Sequence, residues 1–436
     1  MIHIKKIILL IFALSSASIM QAQDYIKEFV GFHSDTSIVR SISADKFLLY
    51  SNNFPHSSFI LVSGDVTTGT VPVLHLNDYT YIKDFHIYGD MVYFCGFETS
   101  GQSTEAIVGY FNMASFPSCQ VYYYIYSTAL SFNKLDIYEI PVAPFERHVI
   151  MTATVSNSES SIVDAYPYSS SQWLFERSIM LPITEVFDDV TSRDSTVAFS
   201  SRSIDNIGQE IGEIWFFSKP TVSGTTIFST NLYKKTITNP VPSSPIWMEK
   251  CPGDKLAITY GSDNNRYLIV SSMDMVAGIS IVMIDFRFPW LAKDIKFNSF
   301  SKELEVMVTK KPYNLITERL FRFPQHMFDD NFFGGNSFYH EYRTDIDRLC
   351  SFDYLSSLGG TFIVSGYDKT VNILCFYRYA YNIWRNCTQK SSEFAVPLYL
   401  SCRTESDYLP LTSQIYLDRV KMDTRFGNID YNTVCR

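Results

Sequence analysis

Short apolar segments separated by turn-forming residues dominate the pattern of the chain. Runs of about four to eight residues rich in Val, Ile, Tyr, Phe and Thr alternate with clusters of Gly, Asn, Asp, Ser and Pro. Apolar positions at helical spacing are not sustained in any long segment. The pattern therefore predicts an all-β protein.

A two-strand unit recurs along the chain. In its clearest copy an apolar strand over 82–87 meets a turn at Gly89-Asp90, and a more apolar strand follows over 91–96. A third strand often follows across a polar turn, as at 106–111, 213–217 and 267–270. The seven turns of this unit lie at Ala44-Asp45, Gly89-Asp90, Phe145-Glu146, Arg193-Asp194, Gly253-Asp254, Lys302-Glu303 and Leu358-Gly359.

These turns follow one another at steps of roughly 45 to 60 residues, close to the length of a propeller blade. Because a single blade cannot bury both of its faces, blades must stack around a channel. The spacing predicts a single seven-bladed β-propeller over residues 23–390. A six- or eight-bladed propeller and tandem β-sandwiches are the alternatives.

The C-terminal stretch 391–436 departs from the repeat, although 396–400 and 414–417 resemble strands. We expect this stretch to form a closing strand and tail, which a disulfide between Cys402 and Cys435 would hold. The N-terminal segment Ile26–Phe32 is the other candidate for closing the ring.

The first 22 residues have the three regions of a secretory signal. Lys5 and Lys6 precede an apolar run over 7–14 and a stretch of small residues that ends at Ala22. The apolar run is too short to span a bilayer, which takes about 20 residues. We expect cleavage before Gln23, a periplasmic or secreted protein, and no membrane span after cleavage.

Charge and cysteine content narrow the classes of partner. The formal net charge of −9 disfavours nucleic-acid binding, which requires a basic surface. The eight cysteines permit disulfides in an exported protein, and because none forms a CxxC pair they do not suggest zinc or iron–sulfur ligation. Cys95 and Cys375 lie in apolar runs and are expected to be buried thiols.

Motifs that carry chemistry are absent from the sequence. It contains no nucleophile elbow, zinc-binding HExxH helix, phosphate-binding loop or dinucleotide-binding glycine pattern. Asp188 and Asp189 are adjacent, and neighbouring strand residues point to opposite faces, so they cannot face each other as an acid–base pair. We therefore predict no catalytic, cofactor-binding or metal-binding residues, and no cofactor.

The connector over 327–347 is the candidate ligand-contacting loop. Its acidic side chains lie near a double glycine and are oxygen ligands of the kind that calcium prefers, and its aromatic rings offer flat faces for sugars. The alternative is a solvated loop between blades. A second aromatic run, Tyr122 to Tyr126, is read as an outer strand with alternate tyrosines buried, or else as a carbohydrate platform. The candidate loop residues are Asp329, Asp330, Phe332, Phe333 and Tyr339.

The repeat resembles the loosely repeating β-propellers that bacteria export, although the hallmark residues of the named blade families are missing. The resemblance implies no particular site residues. We expect a non-enzymatic interaction protein, a monomer, that binds an unknown protein or glycan at the envelope or cell surface. A glycan-active hydrolase or lyase, with a site assembled between blades, is the alternative.

Overall fold

The computed structural model describes the backbone in segments between residues 26 and 399, and side chains in parts of the range 38–304. The described segments are 26–29, 37–43, 46–53, 56–63, 72–141, 146–156, 159–169, 172–181, 186–193, 195–204, 210–237, 245–251, 255–262, 265–272, 282–288, 291–298, 303–310, 317–323, 340–343, 348–354, 361–368, 371–378, 389–390 and 398–399. The predicted signal segment lies outside them.

The described residues are nearly all β, and their strands form seven four-stranded antiparallel sheets and one two-stranded sheet. The first three sheets are β2 (Ser37–Ser43), β3 (Lys46–Asn53), β4 (His56–Ser63) and β5 (Val73–His75); β6 (Thr80–Tyr88), β7 (Met91–Ser100), β8 (Ser103–Asn112) and β9 (Val121–Tyr126); and β10 (Ser131–Ile140), β11 (Glu146–Ser156), β12 (Glu159–Ser169) and β13 (Gln172–Leu181).

The remaining sheets follow the same order along the chain. The fourth and fifth are β14 (Val186–Arg193), β15 (Thr196–Ile204), β16 (Glu210–Ser218) and β17 (Leu232–Ile237); and β18 (Trp247–Cys251), β19 (Lys255–Ser262), β20 (Asn265–Ser272) and β21 (Val282–Phe288). The sixth and seventh are β22 (Leu291–Asn298), β23 (Glu303–Lys310), β24 (Thr317–Phe323) and β25 (His340–Arg343); and β26 (Arg348–Tyr354), β27 (Thr361–Asp368), β28 (Val371–Arg378) and β1 (Ile26–Phe29).

Alternate residues of one strand enter two different cores. In β7, Val92 and Phe94 pack in an apolar cluster with the first sheet, while Tyr93 and Cys95 pack in a cluster with the third. Successive strand residues point to opposite faces, so a strand that is buried on both faces is apolar throughout. The second sheet is thus held between the first and the third, and Cys95 is a buried thiol as expected.

The first strands of the sheets contact one another in a closed cycle. β2, β6, β10, β14, β18, β22 and β26 each contact the next, and β26 contacts β2. This cyclic arrangement of stacked antiparallel sheets is propeller-like, with the first strands innermost.

The N-terminal strand closes the cycle. β1 pairs antiparallel with β28, with Ile26 opposite Cys375 and Phe29 opposite Asn372, so it supplies the fourth strand of the seventh sheet. Of the two candidate closing segments, the N-terminal one thus pairs with the seventh sheet, and the closing strand expected within 391–436 stays a prediction. Within the tail and the residues just before it, only β29 (Gln389–Lys390) and β30 (Leu398–Tyr399) are described, as a two-stranded sheet. Cys402 and Cys435 lie outside the described residues.

Each of the seven predicted turns lies at the connection between the first and second strands of one sheet. The predicted third strands coincide with β8, β16 and β20. The recurring two-strand unit therefore corresponds to the first and second strands of each four-stranded sheet, and the strand that often follows it corresponds to the third.

Candidate functional site

The inner strands surround two adjoining cavities. The wider one, of about 800 Å³, opens where β6, β10, β14 and β18 end, and we call it the funnel. The narrower one, of about 220 Å³, is lined by residues of these strands and of β2 and β22, and we call it the channel. His86, Asp136, Glu249 and Lys250 line both. The two cavities therefore adjoin.

Buried carboxylates of the channel join β6 to β10, β10 to β14 and β14 to β18. One oxygen of each carboxylate accepts a hydrogen bond from the N–H of the following residue, and the other accepts from an N–H on the first strand of the next sheet. The three cases are Asp84 with Phe85 N (3.0 Å) and Leu135 N (3.3 Å), Asp136 with Ile137 N (2.7 Å) and Ser192 N (2.5 Å), and Asp189 with Val190 N (2.9 Å) and Met248 N (2.8 Å).

These bonds provide acceptors for backbone N–H groups on the unpaired edge of an inner strand. An inner strand pairs with a neighbour on one edge only, so the N–H groups of its other edge would be buried without partners. The carboxylate of the preceding sheet accepts from one of them. Asp84, Asp136 and Asp189 are therefore structural links between sheets. Asp294 has the bond within its own strand, from the N–H of Ile295 at 2.9 Å.

Cations balance the carboxylates within the channel. The Arg40 guanidinium donates to Asp84 at 2.9 Å, and the Lys296 ammonium lies 4.0 Å from the Glu249 carboxylate. Lys134 lines the same cavity. A ring of opposite charges, rather than a uniform acidic ring, therefore surrounds the channel.

His86 lies between two of the aspartates at the floor of the funnel. Its Nδ1 is 3.4 Å from Asp136 Oδ1, and its Nε2 is 4.0 Å from Asp84 Oδ2. About a third of the side chain is exposed, so it faces the cavity. A histidine and carboxylates thus meet at the channel mouth.

The carboxyl groups that line the channel differ in pKa. Burial raises the pKa of Asp189 to about 7, against the opposing effect of Lys134. Burial likewise raises the pKa of Glu249 to about 6, although Lys296 and Lys250 lower it in part. Burial also acts to raise the pKa of Asp136, but Lys250 and His86 outweigh it and the pKa is lowered. Glu249 is thus the carboxyl group of the funnel that titrates nearest neutrality.

An aromatic row leads away from the funnel along the face of the second sheet. Tyr88 lines the funnel, and Tyr93, Tyr110 and Tyr122 are opposite one another on β7, β8 and β9. The Arg147 guanidinium lies 4.4 Å from the centre of the Tyr88 ring and donates to the Tyr93 hydroxyl at 3.1 Å. We call the four tyrosines, together with Arg147, the aromatic row.

A second polar cluster is buried in the third sheet. His148 is fully buried between the rings of Tyr138 and Tyr166, and its Nδ1 lies 2.9 Å from Asp164 Oδ1. Glu146 accepts from the N–H of Gly224 at 2.7 Å, and Asp164 accepts from the N–H of Ile227. The cluster anchors a connection of the fourth sheet against the third.

The predicted site residues are placed only in part. The candidate loop residues Asp329, Asp330, Phe332, Phe333 and Tyr339 lie outside the described residues, so the loop stays a prediction. The run from Tyr122 is the outer strand β9, in which Tyr123 packs on one face and Tyr124 and Tyr126 on the other. The adjacent aspartates also diverge, since Asp188 pairs with Arg202 while Asp189 lines the channel.

Sequence reasoning missed the inner-strand aspartates, His86 and Glu249. One signal was present, because Asp84, Asp136, Asp189 and Asp294 each lie shortly before one of the predicted turns and precede an apolar residue.

Within the described residues, no group of three or more His, Cys, Asp or Glu side chains is arranged to hold a metal ion, and no helix is long and apolar enough to cross a membrane.

Comparisons with known proteins give structural similarities but no sequence match. No protein-family model matches it, and no curated protein matches it. Among solved structures, a prolyl endopeptidase is 10% identical with a TM-score of 0.48, over 83% of this chain and 50% of that one. A β-fructofuranosidase from Bombyx mori is 9% identical with a TM-score of 0.34, over 81% and 91%. A sialidase from Trypanosoma rangeli is 8% identical with a TM-score of 0.39, over 66% and 55%.

The chain spans about half the length of the prolyl endopeptidase structure. At these identities and scores the similarities assign neither an activity nor a site to this chain. Function has to be argued from its own residues.

Proposed function

We propose that this chain is an exported, non-enzymatic, seven-bladed β-propeller that binds a protein or glycan partner in its funnel, at the envelope or cell surface. The seven sheets are its blades, and β1 closes the ring. Export rests on the signal-like segment that ends at Ala22.

The observation that carries this proposal is how the carboxylates are used. Asp84, Asp136 and Asp189 each accept one backbone N–H bond from their own strand and one from the next sheet, so both oxygens of each carboxylate are engaged in holding the ring. A general acid or base needs a carboxyl group that is free to exchange protons with substrate. The funnel nevertheless remains an open cavity of about 800 Å³ lined by charged, aromatic and apolar groups, which suits binding.

Capture from the native envelope, together with a glycan array, tests the proposal. Lys250 is exposed and lines the funnel, so Lys250→Ala should weaken binding of the captured partner or glycan severalfold. Lys46→Ala is the matched control, because Lys46 is an exposed lysine at the start of β3, outside the funnel. If neither method yields a ligand, or if both variants bind equally well, the proposal is wrong.

A glycan-active hydrolase or lyase is the second candidate, and one observation favours it. Glu249, with its pKa raised to about 6 by burial, lines the same cavity as His86 and Asp136. A carboxyl group that is partly protonated near neutral pH suits general acid catalysis. Release of reducing sugar from a polysaccharide panel, abolished by Glu249→Gln without loss of folding, would establish this candidate in place of the first.

A further inference from the structure

We propose that the funnel binds an acidic peptide segment, whose side-chain carboxylates meet the basic side chains of Arg193, Lys219 and Lys250. This inference rests on the proposed function, in that the funnel is taken as the binding site, and it adds the chemical class of the ligand and the residues that recognise it.

Basic side chains from two sheets reach the funnel. Arg193 ends β14, Lys219 begins the connection between β16 and β17, and Lys250 lies near the end of β18. All three line the cavity, where Lys250 is exposed and the other two are half-buried. Positive charges of the fourth and fifth sheets therefore converge on one cavity.

Hydrogen bonds hold two of these cations in place. The Lys250 ammonium donates to the carbonyl oxygen of Ser192 at 3.3 Å, and the Arg193 guanidinium donates to the carbonyl oxygen of Cys251. The two bonds cross between β14 and β18 in opposite directions. An ammonium group has three N–H donors, so the exposed Lys250 has further donors for a ligand. Groups that are already positioned lose little conformational freedom on binding, which favours affinity.

The carboxylates of the funnel are engaged within the protein. Glu139 accepts from two nitrogens of the Arg147 guanidinium, at 2.7 and 3.1 Å. Both oxygens of Asp136 accept backbone N–H bonds. Glu249 lies 4.0 Å from the Lys296 ammonium, and burial raises the pKa of Glu249 to about 6. The negative charges are therefore largely compensated, and the basic side chains give the open part of the funnel a positive character.

Apolar groups among these charges favour a peptide over a sugar. Ile87, Pro141 and Phe297 line the same cavity as the three cations. An aliphatic side chain of a peptide can be buried against them. A sugar ring carries a hydroxyl on most of its carbons, and burying hydroxyls against apolar groups without hydrogen bonds is costly. The lining therefore suits a peptide in which acidic and aliphatic residues are mixed.

The charge of the whole chain confines an acidic ligand to this cavity. The formal net charge is −9, so most of the surface repels an acidic peptide while the funnel attracts it. Attraction between solvent-exposed charges is screened by salt over about 8 Å at physiological ionic strength. Binding through the funnel cations should therefore weaken as salt is added.

Calorimetric titration with matched peptides tests the inference. Nonapeptides blocked at both ends would carry Glu at every second or every third position among Leu and Ser, and each would have a version with Gln in place of Glu. At least one Glu peptide should bind about tenfold more tightly than its Gln version in about 50 mM NaCl. This advantage should largely disappear in about 500 mM NaCl.

Variants of two lysines locate the site. Lys250→Gln and Lys219→Gln should each weaken binding of the Glu peptide severalfold and leave binding of the Gln peptide unchanged. Lys250→Arg keeps the charge and should retain the affinity. Lys46→Gln is the matched control, because Lys46 is an exposed lysine at the start of β3, outside the funnel. Urea unfolding of each variant would show that it is folded.

The other results separate this inference from the proposed function. Equal affinity for the Glu and Gln peptides, or affinity that neither lysine variant changes, would overturn the inference. Binding of hexagalacturonate, an acidic sugar chain, in place of every peptide would overturn the peptide class and leave the funnel as a glycan site. If a partner captured from the envelope is held through Lys250 with an affinity that salt does not change, the inference falls and the proposed function stands. A chain that binds no peptide, sugar or envelope partner refutes both.

Discussion

The side-chain oxygen Oδ2 of Asp136 accepts a hydrogen bond from the backbone N–H of Ser192, at 2.5 Å. The two residues belong to the first strands of the third and fourth sheets, and 56 positions separate them in the chain. The Ser192 hydroxyl returns a bond to the carbonyl of Ile137 at 2.6 Å. A reciprocal pair of hydrogen bonds thus joins the third and fourth sheets beside the channel.

Replacing Asp136 with Asn tests this link. An amide has one acceptor oxygen, so the N–H of Ile137 or of Ser192 would face an NH₂ group and lose its partner. Leaving one buried donor unpaired costs about 1 to 3 kcal/mol. We expect the free energy of unfolding in urea to fall by about that amount. Asp90→Asn, in the exposed turn between β6 and β7, should leave it unchanged.

Asp189 makes the stability of the fold depend on pH. Its pKa is about 7 in the folded chain, against an ordinary value of 3.8, so the folded state holds a proton that the unfolded state releases. Stability from this residue is therefore present at low pH and is lost as the pH rises from about 4 to 7. The residue contributes no further change above that range.

Unfolding free energies measured from pH 4.5 to 8 would check this prediction. An asparagine at position 189 cannot titrate, so the stability of Asp189→Asn should fall less steeply with pH than that of the unsubstituted chain, and the unfolding free energy of the variant relative to the unsubstituted chain should rise from pH 4.5 to about 7 and then stay constant. Glu249 changes the slope in the same direction in both proteins, because its pKa is also raised, to about 6. Parallel curves would show that Asp189 keeps an ordinary pKa.

The sequence predicts the repeat well because each sheet begins with the same local event. A strand buried on both faces ends at a turn that needs a short polar residue or glycine, and a second buried strand follows, as at Gly89-Asp90. Gly89 adopts a φ of +59° there, which glycine allows at no steric cost. Such signals lie within a dozen residues, so one chain suffices to find them.

The site was harder to predict because its residues come from different sheets. His86 and Asp136 meet at 3.4 Å only after two sheets have packed, and nothing local marks either as a cavity residue. The closing segment was likewise hard to predict, because it depends on which terminus of the chain reaches β28 in the folded protein. The recurrence of an aspartate before four of the seven turns was visible in the sequence, but its role follows from the unpaired edge of an inner strand, which is a property of the ring.

A substitution at Gly109 tests the packing beneath the aromatic row. A Cβ atom on this residue of β8 would overlap the Phe94 ring and the carbonyl oxygen of Tyr122. Because the backbone of β9 cannot retreat without breaking its ladder with β8, we expect Gly109→Ala to destabilise the protein by about 1 to 3 kcal/mol. Urea unfolding measures the loss. Gly101→Ala is the contrasting variant, since its added Cβ meets no atom within 4 Å and its cost comes only from the φ of +62°.

Removing residues 23–33 from the mature chain tests closure by the N-terminal strand. β28 would lose its pairing with β1 and present an unpaired edge, which is a template for association with another chain. We expect a lower unfolding midpoint, together with dimers or larger species in analytical ultracentrifugation at micromolar concentration. Truncation after residue 390 is the matched control, because it removes the tail and leaves the β1–β28 pairing in place. If the tail truncation were the more damaging of the two, the ring would depend on the C-terminal segment and the assignment of β1 as the closing strand would be wrong.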